Sequence, residues 1–144
     1  MRKEVAHVPD KPAPEPTPDT QRFWDGAKAG ELWIQRCTAC GDPYFYPRAY
    51  CPRCASRDVE WFRASGRATL YSYVINHRPA PGWDEPYVIA VVQLEEGPRM
   101  MTNIVGVPAE PDALPLDMPL QVTFEPRGDY AVPLFEPARE GVPA

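Results

Sequence analysis

Catalytic side chains are scarce in this sequence. Its 144 residues hold two histidines, His7 and His77, and three serines. Neither histidine sits in a recognisable signature with a nucleophile or a carboxylate. Asp84-Glu85 is a carboxylate pair, but adjacent acids in a Pro-Gly loop are the solvated kind. Glycine is thin at nine residues, and neither a Gly-rich phosphate loop nor a dinucleotide fingerprint occurs. These gaps argue against catalysis by the chain on its own. No apolar run approaches the roughly 20 residues of a spanning helix, which argues against a membrane protein. The net charge of -5 argues against a generic nucleic-acid binder.

Cysteine is also limited, and all of it is in one place. The four cysteines form Cys37-Thr-Ala-Cys40, ten residues, then Cys51-Pro-Arg-Cys54. Two Cys-x-x-Cys pairs at this separation are the spacing of a four-thiolate zinc site. The alternative is two disulfides or four buried thiols. No signal peptide precedes the motif, so a reducing, cytoplasmic compartment is expected, where thiols stay free for metal. A catalytic zinc keeps one position open, whereas four cysteines close the shell. The motif therefore predicts a structural zinc held by Cys37, Cys40, Cys51 and Cys54.

Proline is abundant, with twenty residues concentrated toward both ends. Residues 1–18, with five prolines between Pro9 and Pro18, read as an extended arm or linker. Such a start suggests that another domain precedes it, here or in relatives. A short helix follows, capped by Asp19 or Thr20, carrying Phe23, Trp24 and Ala27 at helical spacing and ending near Gly30. Leu32–Arg36 reads as a strand entering the first Cys turn, Tyr44-Phe45-Tyr46 as a return strand, and Val59, Trp61 and Phe62 as a third. Residues 36–64 make a zinc ribbon, after a helix and lead-in strand in 19–35.

From Gly66 the period changes to two. Strands are expected over Thr69–Asn76, Tyr87–Leu94, Arg99–Val105 and Leu120–Glu125, with a fifth near Val132–Phe135. Arg78–Pro86 is a Pro- and Gly-rich loop. A long proline-rich connection separates the third strand from the fourth. Five short strands with that connection suit a closed barrel of the OB type over 65–137, with 138–144 as a tail. The fold class is thus all-β: an N-terminal helix, a zinc ribbon and a five-stranded OB-fold barrel.

Charge is uneven. The segment Arg36–Arg63 carries Arg36, Arg48, Arg53, Arg57 and Arg63 against Asp42, Asp58 and Glu60, so it is +2 and the remainder is -7. This is either ordinary solvated surface or a patch for phosphates, which arginine suits.

Several stretches in order resemble the DUF35 proteins. They are Phe23-Trp24-Asp25-Gly26, the two Cys pairs, Tyr46-Pro47-Arg48 before Cys51-Pro52, and Ser65-Gly66-Arg67-Ala68-Thr69-Leu70-Tyr71-Ser72. Pro86-Tyr87-Val88-Ile89-Ala90 and Asp117-Met118-Pro119-Leu120 match in character. Ala68, where glycine is common, and Leu116-Asp117, in place of Ile-Gly, depart from the pattern. The resemblance spans roughly 19–137. It implies a rubredoxin-like ribbon joined to an acyl-CoA-associated OB-fold, and an accessory role beside thiolase-fold enzymes. In one branch such a domain closes a hydratase subunit of actinobacterial steroid side-chain degradation and receives a thiolase-like aldolase.

Three functions follow as expectations. The first is a non-catalytic subunit that docks a thiolase-fold acyl-CoA enzyme as a hetero-oligomer and helps form its channel. The second is an acyl-CoA binding module, with Arg48, Arg53 and Arg57 on the CoA phosphates. The third is a single-stranded nucleic-acid binder stacking bases on Tyr71 and Tyr73, which the net charge opposes. Phe23, Trp24 and Trp83 are the aromatic candidates for a docking surface. The alternative for these rings is that they cover this chain's own barrel.

Overall fold

The computed structural model describes residues 11–139. His7, most of the proline arm and the end of the tail lie outside the described residues. Ten elements follow in order: α1 (Gln21–Lys28), β1 (Trp33–Cys37), β2 (Pro43–Tyr44), β3 (Val59–Arg63), β4 (Arg67–Asn76), β5 (Tyr87–Leu94), β6 (Arg99–Ile104), a 3-10 turn (Pro111–Ala113), β7 (Pro119–Arg127) and β8 (Tyr130–Pro137). A three-stranded sheet β2-β1-β3 precedes a closed barrel β4-β5-β6-β8-β7. The expected all-β class, with one helix, a ribbon and a five-stranded OB barrel, is the observed one.

Barrel closure depends on one irregularity in β4. Ala68 and Leu70 point inward, opposite Leu94 and Val92. The register then slips between Leu70 and Ser72, so Tyr73 and Ile75 face inward opposite Ala90 and Val88. A bulge of this kind swaps the inward face of a strand from even to odd positions. Period-two alternation through Thr69–Asn76 hides the switch. β5 runs straight, with Val88, Ala90, Val92 and Leu94 all buried. β8 is longer than expected because it pairs with β7 along its whole length, from Tyr130 opposite Arg127 to Pro137 opposite Leu120, and the Pro133 carbonyl takes a hydrogen bond from Thr102 Oγ1 at 3.1 Å. The parallel contact of β6 with β8 is a single pair, Ile104 with Phe135. The connection after β6 sends Leu114 into the core at 2% exposure.

Helix α1 is short and borrows its stability from packing. It lies against β8 and β1. Thr20 is its N-cap residue, but the Thr20 hydroxyl instead accepts from the Thr17 N–H at 2.9 Å. Gly26 leaves room for Trp33, whose Cδ1 would lie 2.5 Å from an added Cβ. Phe23 is 2% exposed and joins Leu32, Ile34 and Ala64 to the barrel residues in one continuous core. Helix, ribbon and barrel thus share apolar burial, so their relative placement is fixed by packing.

Two expectations in the ribbon change. The first strand runs Trp33–Cys37, one residue later than expected at each end, and pairs with both β2 and β3. The return strand stops at Tyr44, because Phe45 and Tyr46 leave the sheet and pack edge-on to Phe23, at ring distances of 5.5 and 6.1 Å.

Candidate functional site

The two Cys-x-x-Cys turns are built alike. In the first, Gly41 N–H donates to the Cys37 carbonyl at 2.8 Å, and Cys37 N–H donates to the Asp42 carbonyl. In the second, Ala55 N–H donates to the Cys51 carbonyl at 2.9 Å, and Cys51 N–H donates to the Ser56 carbonyl. Both turns need a left-handed residue at the fifth position. Gly41 supplies it at φ 81° and Ala55 at φ 66°. Alanine there carries a steric cost of about 1–2 kcal/mol, partly offset by the greater entropy that glycine loses on folding. Ala55→Gly is therefore expected to stabilise the ribbon by about 0.5–1 kcal/mol, read as a higher denaturation midpoint at equal zinc loading.

The four Sγ atoms lie within 4.8 Å of one another. Cys37 and Cys54 are separated by 3.6 Å, and Cys40 and Cys51 by 3.8 Å. A tetrahedral zinc with bonds of about 2.3 Å sets its sulfurs about 3.8 Å apart, so the constellation fits that ion. Backbone N–H groups stabilise the thiolates. Cys40 N–H points at Cys37 Sγ (3.4 Å), and those of Arg53 and Cys54 point at Cys51 Sγ (3.2 and 3.4 Å). The Cys40 N–H is the main reason the Cys37 thiol is drawn down to about 7. The Asp42 N–H also pulls Cys40 down, but desolvation and the neighbouring sulfurs outweigh it and push Cys40 up to about 12. Four thiolates this close repel one another, and a divalent cation relieves the repulsion. All four cysteines are protein ligands to one point, which makes the centre structural.

The three arginines expected at CoA do not converge. Arg53 pairs with Asp42 at 3.5 Å, and Arg57 lies over the Tyr50 ring at 5.7 Å. Arg48 makes no ion pair among the described residues, and its N–H donates to Gln35 Oε1 at 2.7 Å. Arg48 stands at the rim of two surface depressions. One, of about 500 Å³, runs along Pro47–Pro52 beside the metal turns. The other, of about 450 Å³, is apolar and lies where α1, the ribbon and the barrel meet. Trp24, Phe45, Tyr46, Met100, Met101, Val132 and Pro133 line it.

The aromatic candidates separate as well. Phe23 is a core residue, contrary to its expected place on a docking surface: the helix turns it beneath Trp24, whose ring stands 4.7 Å away. Trp24 stays half-buried at the edge of the apolar groove. Trp83 lies elsewhere, stacked on Tyr87 at 4.8 Å and 22°. The sequence reading missed Phe45, Tyr46, Met100, Met101, Val132 and Pro133 as groove residues, and Met101 stands out among them. It is 69% exposed on the outer face of β6. Its signal was available, since β6 alternates and Met100 and Met101 must face opposite ways.

Two family models match the chain. Residues 24–60 match the ChsH2 rubredoxin-like zinc ribbon domain, and residues 61–125 match the ChsH2 C-terminal OB-fold domain. The 3-oxo-4,17-pregnadiene-20-carboxyl-CoA hydratase alpha subunit of Mycobacterium tuberculosis is 38% identical over 125 residues, 86% of this chain and 39% of that subunit. The benzoylsuccinyl-CoA thiolase subunit BbsA of Thauera aromatica is 31% identical over 103 residues, 66% of this chain and 71% of that subunit. A solved structure, the Ltp2-ChsH2(DUF35) aldolase, superposes with a TM-score of 0.77 at 35% identity, over 87% of this chain and 98% of that one.

The chain belongs to the DUF35 family.

It spans about two fifths of the length of the hydratase alpha subunits it matches. The DUF35 assignment accounts for the ribbon, the barrel and their order. It also directs attention to the apolar groove, because the described site residues contain no nucleophile hydrogen-bonded to a base. His77 and Asp84-Glu85 are exposed loop residues. No helix among the described residues is long and apolar enough to cross a membrane. The base-stacking reading loses its platform, since the bulge puts Tyr71 outside and Tyr73 against the core. The outer Tyr71 ring is already covered by the Arg99 guanidinium at 3.8 Å.

Proposed function

We propose that this DUF35 chain is a non-catalytic accessory subunit that docks a thiolase-fold acyl-CoA enzyme, in steroid side-chain or related acyl-CoA degradation. The observation that carries this reading is the apolar groove, where Trp24, Phe45, Tyr46 and Met101 offer half-exposed rings and a flexible thioether around one depression. Patches of this kind, aromatic at the centre and charged at the rim, mark protein interfaces more often than catalytic clefts. The likeness to the Ltp2-ChsH2(DUF35) aldolase supports an aldolase-type partner. The thiolase-subunit relative supports a thiolase fold for it. In this reading Arg48 meets a CoA phosphate at the mouth of a shared channel, which its position at the groove rim supports. Arg53 and Arg57 are engaged within the chain and contribute less.

The test mixes the chain with a thiolase-like aldolase. A complex is expected by size-exclusion chromatography, and the partner's aldol cleavage rate is expected to rise. Met101→Glu should cost about 2 kcal/mol of association, roughly thirtyfold, because an unpaired carboxylate is driven into an apolar contact. The melting temperature should hardly move, since Met101 is 69% exposed. Turnover of an acyl-CoA by the isolated chain, abolished by a point substitution within it, would overturn the accessory role. A second reading, a stand-alone acyl-CoA binding module, has in its favour that Arg48 makes no ion pair among the described residues. Saturable binding of CoA to the isolated chain, weakened by Arg48→Ala, would favour it instead.

A further inference from the structure

The described part of the proline arm is seated on the barrel. Lys11 Nζ pairs with Glu125 Oε2 at 3.2 Å and lies 4.9 Å from the centre of the Trp83 ring. Arg127 reaches the same Trp83 ring at 5.3 Å and pairs with the same carboxylate, Glu125, at 2.9 Å. Tyr87 stacks on the indole at 4.8 Å. Two glycines make the space. A Cβ at Gly82 would overlap Lys11, meeting its Cα at 2.8 Å and its N at 2.9 Å. A Cβ at Gly128, in the β7–β8 turn, would come within 3.1 Å of Ala13 Cβ. The backbone of the arm thus passes between two turns that carry no side chain where it crosses.

We infer that the Gly82-Trp83 loop and the Glu125–Gly128 turn form a clasp whose occupant is this chain's own segment Lys11–Ala13. Lys11–Ala13 is then a seated segment of the barrel surface, and not a free tether. Three features support this occupant over a chance contact. The cation and the carboxylate are complementary in charge. Lys11 and Arg127 both lie close to the indole, an arrangement that orders it. Among the described residues, the backbone of the loop Arg78–Pro86 is paired at Trp83 only through the bridge between Ala80 and Trp83. Proline on both sides of Ala13 lowers the entropy lost when the segment is seated. Arm and loop therefore order each other: releasing Lys11 should loosen Trp83, and removing Trp83 should release Lys11. The consequence is geometric: Lys11 is held on the Trp83 side of the barrel.

Amide relaxation of the zinc-loaded full chain tests this. The Ala13 amide is expected to relax like Leu94 in the barrel. In Lys11→Glu, which sits on the arm and cannot unfold the barrel, Ala13 should take the values of a free tail while Leu94 is unchanged. Trp83→Ala should do the same, and Lys11→Arg should keep the seated values. A second readout follows the loop: Asp84 should gain mobility in Lys11→Glu. A wild-type Ala13 that moves as a free tail would overturn the clasp, as would a Lys11→Glu variant whose Ala13 and Asp84 amides stay rigid.

Discussion

Cys51→Ser should abolish stoichiometric zinc and unfold the ribbon while leaving most of the barrel's strand signal. Cys51 is 2% exposed, and two backbone N–H groups are aimed at its sulfur. Serine replaces a thiolate with a neutral hydroxyl on a shorter bond, so the ion loses a ligand and the two N–H groups lose their anion. Metal binding is worth on the order of 10–16 kcal/mol in small zinc modules, where it is also the folding energy. Here the loss is partial, because Ile34 and Leu32 tie β1 into the barrel core. Local amide exchange across 37–58 should accelerate by several orders of magnitude, while β5 stays protected. The same dissociation should follow acid. The metal binds thiolates, and protons compete for them, so apparent affinity falls as pH falls. Cys40, pushed up to about 12 without the ion, is protonated at neutral pH, so loading the ion near pH 7.5 should release protons into a weak buffer. Zinc analysis and proton release on titration check both. A chain that refolds fully without metal would sink the reading.

The ribbon and the barrel were legible for different reasons. The Cys pairs state a ligand count and a spacing, and metal geometry leaves few ways to satisfy both. The barrel strands were legible through β5, a nearly continuous apolar run, and through β7, where Leu120, Val122 and Phe124 alternate with Gln121, Thr123 and Glu125. What escaped was where the chain departs from regularity. The bulge after Leu70 leaves no mark in composition, because Tyr71, Tyr73 and Ile75 are equally suited to either face. Ala55 escaped because the left-handed position of the second turn lacks the glycine that announces it in the first. The aromatic triplet Tyr44-Phe45-Tyr46 reads as a strand, and only the presence of Phe23 across the interface explains why it leaves the sheet. The arginines show the limit of charge counting. Arg53 and Arg57 are matched by Asp42 and Tyr50, partners that proximity in sequence suggests but does not settle. The groove is a product of three segments meeting, and no single stretch contains it.

Phe23→Ala is expected to destabilise the chain by about 3–5 kcal/mol, the usual cost of removing a buried phenyl ring. Phe23 is 2% exposed and sits where helix, ribbon and barrel meet. Its ring touches Trp24, Phe45 and Tyr46 in edge-on geometry at 4.7, 5.5 and 6.1 Å. Each such pair adds about 0.5–1.5 kcal/mol beyond area when well formed, so the loss extends past the transfer of one ring. The cavity would open beneath the floor of the apolar groove, which Phe23 also lines. Partner affinity should therefore fall together with stability, by collapse of Trp24 and Phe45 into the vacancy. Met101→Glu differs, because it touches only the rim and should change affinity alone. Thermal melts on both variants separate the two effects: a drop of roughly 10 °C or more for Phe23→Ala, with Met101→Glu within a degree or two of the parent. A Phe23→Ala chain that melts like the parent would mean that the helix does not pack on the barrel in solution. Phe23 would then be free to serve a partner after all.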